Sequence, residues 1–316
     1  MTAGPLAIGI DIGGTKIAGA LVDVEGEVLA TDRVVSPATE PAAIESAVAG
    51  LVASLATGVE VQAVGVGAAG YVDAARANVL FAPNIAWRDE PLGADLTAMT
   101  GLPVVIENDA NAAAWGEFRF GAGRDVDDQL MVTVGTGVGG GIISGGRLLR
   151  GAFGAAGEIG HLCVVPDGVL CGCGNRGCLE QYGSGSALVR DARSTAGGGS
   201  RLAAGLRERA GGDPMAITGP MVTTAAREGD RFAIGLFEQL GHWLGHGIAS
   251  LVEVLDPAVV VIGGGVSDAG SLLLDPLRSS FEQRLVGRGY RSVAEIRTAE
   301  LGNRAGVIGA ADLART

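Results

Sequence analysis

Apolar residues near the start of the chain come in short runs separated by glycine. The first run, Leu6–Asp11, stops at Gly13-Gly14-Thr15-Lys16 and resumes over Ile17–Val22, after which Gly26 leads into Glu27–Val35. Runs of this length bounded by turn residues are typical of buried strands joined by tight turns. We therefore expect three antiparallel strands.

The next hundred residues predict alternating helices and strands. The expected elements are a helix over Pro41–Leu55, a strand over Val61–Gly67, a short helix over Asp95–Met99, a strand over Val104–Ile106 and a helix over Ala110–Phe118. Three antiparallel strands followed by this alternation indicate an α/β arrangement.

The second half of the chain repeats the strand–glycine-turn–strand pattern of the first. Leu130–Val134 is apolar, Gly135–Gly141 is predicted to turn, and Ile142-Ile143 to return. The later elements expected are helices from Gln181 to about Arg209, over Thr218–Glu228 and over Asp230–Leu255, a strand over Val259–Ile262, a third turn at Gly263-Gly264-Gly265 and a helix over Ala305–Ala314. Such internal similarity favours two lobes of related topology that face one another.

The boundary between the lobes is expected near Gly121–Arg124. The first lobe would then comprise residues 1–120, with the terminal segment 305–316 packing back on it, and the second residues 121–304. A chain of 316 residues with 47% hydrophobic content is long enough for two cores with a cleft between them.

The net charge narrows the classes of ligand. With 23 basic and 35 acidic residues the chain carries a charge of −12, which disfavours nucleic acid and anionic lipid as partners. No apolar run approaches the roughly 20 residues that span a bilayer, and Met1–Pro5 lacks the basic start of a signal peptide. We expect a cytoplasmic protein that acts on small molecules.

The three glycine turns indicate a site for a phosphate chain. Glycine lets backbone N–H groups approach phosphate closely, and Asp11 at a strand end can hold Mg²⁺ through water while Thr15 and Lys16 contact phosphate oxygens. The spacing matches neither the Walker A loop nor the dinucleotide fingerprint. Any one of these turns alone is equally consistent with a plain hairpin.

The pair Asn108-Asp109 follows a strand and opens a helix. A carboxylate fixed at such a strand end can take the proton from an alcohol that attacks a γ-phosphate, so Asp109 is the candidate general base. Asn108 can offer both a donor and an acceptor to sugar hydroxyls. The alternative is that the pair only caps the helix, because Asp and Asn are preferred there.

A cluster of cysteines indicates a zinc site. His161, Cys171, Cys173 and Cys178 form a complete tetrahedral ligand set, which predicts a structural ion with no open position. A redox pair of Cys171 and Cys173 is the competing interpretation. Cys163 is the spare thiol, expected to be a small buried hydrophobe.

These motifs resemble a known family. The pattern Cys-x-Cys-Gly-x-x-Gly-Cys-x-Glu over Cys171–Glu180, preceded by Glu158-x-Gly-His161, resembles the signature of the ROK family of sugar kinases and repressors. With Asp11–Lys16 and Asn108-Asp109, the resemblance spans nearly the whole chain and extends to the bacterial glucokinases of that family.

The resemblance implies an actin-like, hexokinase-type (ribonuclease H-like) ATPase fold of two lobes with a cleft. It also implies zinc bound by the four ligands above and a sugar bound by Asn108, Asp109, Glu158, His161 and Glu180. The nucleotide would lie against Asp11, Gly13, Gly14, Thr15, Lys16, Thr136, Gly137, Gly264 and Gly265. His161 would then serve zinc with one ring nitrogen and the sugar with the other.

The activity implied is ATP- and Mg²⁺-dependent phosphorylation of glucose on its 6-hydroxyl by a homodimer or homotetramer. Three alternatives stay open: another hexose such as fructose, mannose or an N-acetylhexosamine, polyphosphate as donor, and a sugar-responsive transcriptional regulator.

Overall fold

The computed structural model describes residues 4–82 and 85–316 of the chain. Met1–Ala3, on which the expectation of no signal peptide partly rests, lie outside the described residues. Within residues 4–82 and 85–316, no helix combines the length and apolar character needed to cross a membrane.

The N-terminal part forms a five-stranded mixed sheet. Its elements in chain order are β1 (Leu6–Ile12), β2 (Lys16–Val22), β3 (Val28–Val35), α1 (Pro41–Leu55), β4 (Val61–Ala68), β5 (Tyr71–Val72), β6 (Val79–Phe81), β7 (Arg88–Glu90), α2 (Leu92–Thr100), β8 (Val104–Asn108) and α3 (Asp109–Phe120). The strand order is β3-β2-β1-β4-β8, in which β1 pairs antiparallel with β2 and parallel with β4. Strands β5, β6 and β7 form a separate small sheet.

The C-terminal part forms a second five-stranded sheet. Its elements are β9 (Gln129–Val134), β10 (Val138–Ser144), β11 (Arg147–Leu148), α4 (Glu180–Gly183), α5 (Gly185–Gly197), α6 (Ala204–Arg209), α7 (Gly219–Arg227), α8 (Arg231–Leu255), β12 (Val259–Gly263), α9 (Ser271–Arg284), β13 (Glu295–Thr298) and α10 (Ala305–Ala314). The order β11-β10-β9-β12-β13 repeats the antiparallel and parallel pairing of the first sheet. We call the two parts the N-lobe and the C-lobe, each with its own apolar core.

Helix α10, the last element of the chain, packs against the N-lobe sheet and is therefore counted with the N-lobe. The approach is close because two sheet glycines lie beneath it: a Cβ on Gly9 would overlap the Val307 carbonyl, and one on Gly65 would overlap that of Ala310. Helix α3 packs on α10 in the same way, with Gly309 against the Ala112 carbonyl.

The chain passes between the lobes after α3 and again before α10, and one carboxylate holds both crossings. Glu117, fully buried on α3, accepts hydrogen bonds from the backbone N–H of Ala122 at 2.9 Å, Glu300 at 3.0 Å and Leu301 at 2.8 Å. A buried carboxylate with three charge-assisted hydrogen bonds is well satisfied, so it fixes the geometry of the two crossings.

The structure corrects several sequence predictions. The turn predicted at Gly135–Gly141 is shorter, because β10 already begins at Val138. The long helix predicted from Gln181 to Arg209 is broken into α4, α5 and α6. The small sheet of β5 to β7, α9 and β13 were not predicted.

Cys163 is exposed, so the expectation that it is a buried hydrophobe is wrong. The physical reason lies in the backbone after His161, which runs along the surface and pairs with Cys178 through an isolated antiparallel bridge.

Candidate active site

A cavity of about 350 Å³ lies between the two lobes. Its N-lobe wall contains Ala69, Gly70, Tyr71, Asn108, Asp109 and Ala110. Its C-lobe wall contains the segment 135–140 together with Thr133, Gly157, Glu158, His161, Glu180 and Gly264. The five residues predicted to bind a sugar therefore share one cavity.

Asp109 is the first residue of α3 and follows β8 directly. Asn108 is the N-cap: its side-chain oxygen accepts from the backbone N–H of Asn111 at 3.0 Å, and its amide nitrogen donates to the Gly70 carbonyl at 3.1 Å. Capping thus falls to Asn108, which leaves the Asp109 carboxylate at the cavity wall. One Asp109 oxygen accepts from the backbone N–H of Ala110 at 2.9 Å.

Two carboxylates interact across this end of the N-lobe sheet. Burial raises the pKa of Asp11 to about 6, the negative charge of Asp109 adds to that rise, and Lys16 opposes it. Burial likewise raises the pKa of Asp109 above its ordinary value. Because a carboxylate of raised pKa is a stronger base, burial makes Asp109 a better proton acceptor.

Three further polar side chains come from the C-lobe. His161 Nε2 lies 3.9 Å from Glu158 Oε2. Glu180 Oε2 accepts from the backbone N–H of Val138 at 3.2 Å, which ties Glu180 to the start of β10. Burial raises the pKa of Glu158, His161 opposes the rise, and the charges of Asp109 and Glu180 add to it. The site thus gathers several hydroxyl acceptors around one imidazole.

The other ring nitrogen of His161 faces the cysteines. Its Nδ1 lies 3.6 Å from Cys171 Sγ, and Cys173 Sγ lies 3.6 Å from Cys178 Sγ. All four ligand atoms lie within 4.8 Å of one another. In a tetrahedral zinc site the ordinary bond lengths place ligand atoms roughly 3.6 to 3.8 Å apart, so this donor set fits zinc.

A larger cavity of about 1100 Å³ adjoins the first at Gly135 and Thr136. Its other walls come from α5, α7 and the segment 265–269. The second glycine turn is tied to the start of α5, since Gly185 N–H donates to the Gly135 carbonyl at 2.8 Å. A helix N-terminus beside a glycine turn favours an anionic group.

Four of the nine predicted nucleotide residues line these two cavities. Gly265 lines the larger cavity, Gly137 and Gly264 line the smaller one, and Thr136 lines both. Within the described part of the chain, the walls of both cavities leave out Asp11 and the turn Gly13–Lys16. That turn closes the β1–β2 hairpin, where Gly14, Thr15 and Lys16 are exposed.

Sequence reasoning missed several wall residues. Tyr71 belongs to a two-residue strand that the apolar pattern does not reveal. In the larger cavity, nothing in the sequence singled out Arg193 on α5, Thr223 on α7 or Met215 in the segment between these helices. Ordinary helix sequences carry no motif for a nucleotide pocket, so only the packing of the helices reveals them.

Comparison with known proteins gives consistent matches. The model of the ROK family matches residues 7–316. The glucokinase of Streptomyces coelicolor is 52% identical over 310 residues, which is 98% of either chain. The crystal structure of a ROK family glucokinase from Streptomyces griseus, in complex with glucose and AMPPNP, is 54% identical in sequence and matches with a TM-score of 0.90. The match covers 98% of this chain and 99% of that one. The N-acetylmannosamine kinase of Escherichia coli is 34% identical over 98% of both chains.

Proposed function

Because the chain belongs to the ROK family, we propose that it is an ATP-dependent glucokinase, which transfers the γ-phosphoryl group of ATP to the 6-hydroxyl of glucose. The observation that carries the proposal is the cavity in which Asp109 meets Glu158, His161 and Glu180 beside a larger cavity bordered by glycine turns. The similar Streptomyces griseus enzyme, crystallised with glucose and AMPPNP, supports the same pair of ligands here.

Asp109 acts as the general base in this proposal. Its carboxylate accepts the proton of the sugar 6-hydroxyl as that oxygen attacks the γ-phosphorus, and its raised pKa strengthens it for this task. Asn108, Glu158, His161 and Glu180 bind the remaining hydroxyls. They hold the sugar so that the 6-hydroxyl faces both the base and the phosphate, and positioning of this kind supplies most of the catalysis in phosphoryl transfer.

The nucleotide is assigned to the larger cavity. Its phosphates run along Gly135 and Thr136 toward Gly137 in the sugar cavity, and its base lies between α5, α7 and Gly265. The first turn, Gly13–Lys16, and Asp11 lie outside the wall of this cavity; the resemblance to the family implies that they would contact the phosphates from the N-lobe and that Asp11 would hold Mg²⁺ through water. Bound Mg²⁺ supplies neutralisation of the charge that develops on the transferred group.

The cluster of His161, Cys171, Cys173 and Cys178 is assigned to a structural zinc ion. Ligation at Nδ1 would fix the His161 ring and leave Nε2–H as a donor toward the sugar, where Glu158 already lies 3.9 Å away. We expect the purified protein to contain about one zinc per chain by elemental analysis and Cys178→Ser to lose it with a raised KM for glucose. Full zinc content in Cys178→Ser would contradict this ligand set.

Steady-state kinetics tests the kinase assignment. The full chain is assayed with glucose, fructose, mannose, N-acetylglucosamine and N-acetylmannosamine, each with ATP and with polyphosphate as donor. We expect the highest kcat/KM for glucose with ATP. Since one relative is an N-acetylmannosamine kinase, a higher value for an acetamido sugar would replace glucose as the substrate, and no turnover of any sugar would refute the kinase.

Asp109→Asn tests the base. The loss of a general base lowers kcat by about 10²- to 10⁴-fold. Glucose binding, measured by calorimetry, is retained because the new side-chain amide has nearly the same shape as the carboxylate that it replaces. Asp275→Asn, an exposed change on α9, serves as the control and keeps the activity of the unaltered protein. Full turnover by Asp109→Asn would show that another group takes the proton.

A further inference from the structure

Glu107, the residue before Asn108-Asp109, has no role in the function proposed so far. It lies near the end of β8 with only 3% of its surface exposed. Its Oε1 accepts from the backbone N–H of Asn108 at 3.1 Å and from Asn111 Nδ2 at 3.0 Å. Its Oε2 accepts from Arg150 Nε at 2.7 Å and has Arg76 Nε at 3.6 Å.

The partners of Oε1 both belong to the first turn of α3. Asn108 is the N-cap of that helix, and the backbone N–H of Asn111 donates the capping hydrogen bond to the Asn108 side-chain oxygen. Asp109 lies between them in sequence, so Glu107 holds the backbone before the proposed base and a side chain after it.

The partner of Oε2 at hydrogen-bond distance comes from the other lobe. Arg150 opens the segment 150–158, which is folded back by a hydrogen bond from Ala156 N–H to the Arg150 carbonyl at 3.0 Å. This segment ends at Glu158 in the wall of the sugar cavity. Glu107 therefore connects the base-bearing helix of the N-lobe to the Glu158-bearing segment of the C-lobe.

A second contact holds the same segment against the N-lobe. Gly154 has φ of +85°, and a Cβ there would overlap the Val72 carbonyl oxygen. The segment is thus seated on the N-lobe at Gly154 and tied to it at Arg150, and only the second attachment depends on a charged side chain.

We propose that Glu107 is a positioning residue for sugar phosphorylation, whose two oxygens hold the start of α3 and the segment 150–158 at a fixed separation through Arg150. The inference rests on the proposed function, since it assumes that the cavity binds the sugar. The positive charge of Arg150 matters because a buried carboxylate that loses its hydrogen-bonded cation is strongly disfavoured and moves toward other partners or water. Arg76, whose Nε lies 3.6 Å from the same oxygen, cannot replace Arg150 in this role, because it belongs to the N-lobe and so does not join the two lobes.

Kinetics of Glu107→Gln, Arg150→Gln and the double variant test the proposal. We expect each single change to raise the KM for glucose about tenfold or more and to lower kcat, and to leave the KM for ATP within about twofold. The double variant should resemble either single one, because residues that act through one contact are not additive. Arg150→Lys, which keeps the charge, should recover part of the loss. The control is Arg124→Gln, which removes an exposed arginine paired with Glu300.

Three results would overturn the proposal: kinetics of Glu107→Gln within about twofold of the unaltered enzyme, additive effects in the double variant, or an equal rise in the KM for ATP, which a general loss of structure would produce. If Glu107→Gln fails to fold, the two Arg150 variants decide, because that side chain is 26% exposed. Glucose binding by calorimetry separates this proposal from the kinase itself. If the unaltered protein binds glucose without phosphorylating it, the kinase is refuted. If Glu107→Gln then binds glucose about tenfold more weakly, the positioning role is still supported.

Discussion

The carboxylate of Glu117 supports a quantitative prediction, because three backbone N–H groups of the lobe crossings depend on it. Glu117→Gln keeps one oxygen, which at the position of Oε2 still accepts from Ala122 and Glu300. The new NH₂ group then faces Leu301 N–H, which loses the acceptor it has at 2.8 Å. A part-buried backbone donor loses its charge-assisted hydrogen bond and a buried amide is left without a partner, and each change costs roughly 1 to 3 kcal/mol.

The expected loss is therefore about 2 to 6 kcal/mol of unfolding free energy, a large share of the roughly 5 to 15 kcal/mol typical of a folded protein. For a chain of this size the thermal midpoint should fall by at least about 4 °C. Thermal unfolding followed by circular dichroism measures the effect.

Glu300→Ala is the matched control for this experiment. It removes an exposed ion pair in which Arg124 NH1 lies 2.6 Å from Glu300 Oε2, and it keeps the Glu300 backbone N–H that Glu117 accepts. An exposed pair contributes at most about 1 kcal/mol. A Glu117→Gln midpoint within about 2 °C of the unaltered protein, or equal losses in both variants, would refute the reasoning.

Two further predictions concern Gly137 in the cavity wall and Asp11 at the end of β1. A Cβ at Gly137 would overlap Glu180 Oε2, so Gly137→Ala should raise the KM for glucose about tenfold or more. The control is Gly235→Ala, where a Cβ meets no atom within 4 Å and the KM should stay unchanged. Equal KM values for both variants would contradict the contact. The Asp11 pKa is raised from 3.8 to about 6 on folding, so the folded state holds this proton more tightly, and the stability that this provides is lost as pH rises from about 4 to about 6. Urea unfolding of the ligand-free protein should then find Asp11→Asn more stable than the unaltered chain at pH 7.5, by up to about 3 kcal/mol, with the difference vanishing near pH 4; a constant difference across that range would exclude the titration of Asp11 as its cause.

The sequence predicts the fold where side chains carry the pattern. The glycine turns bounded by apolar runs gave both strand–turn–strand units, and the two-lobed fold and the family are confirmed by the ROK match and the Streptomyces griseus structure. The start of β10 was missed because three of its residues, Gly139 to Gly141, have no side chain to show a hydrophobic pattern. Their bare faces are instead filled by neighbours such as Ile159 against Gly140 and Ala114 against Gly141.

The residues of the candidate site likewise differ in whether the sequence alone reveals them. Asn108-Asp109 and the cysteine cluster are local motifs, so sequence alone singles them out. Arg150 is an ordinary surface residue by its sequence context, and its contact with Glu107 exists only because the lobes meet. The roles of the site residues, the domain boundaries, cytoplasmic location and the dimeric or tetrameric assembly stay predictions.

The position of α10 has a consequence for synthesis on the ribosome. One face of the N-lobe sheet is covered by this helix, whose Val307, Ile308 and Ala311 pack on Ala7 and Ala20. These partners are separated by about 300 residues, so the earliest strands emerge with that apolar face bare and keep it bare while the whole C-lobe is translated. The first lobe to be made is thus the last to be completed, and until α10 is synthesised its nascent sheet offers an apolar face that a chaperone can cover.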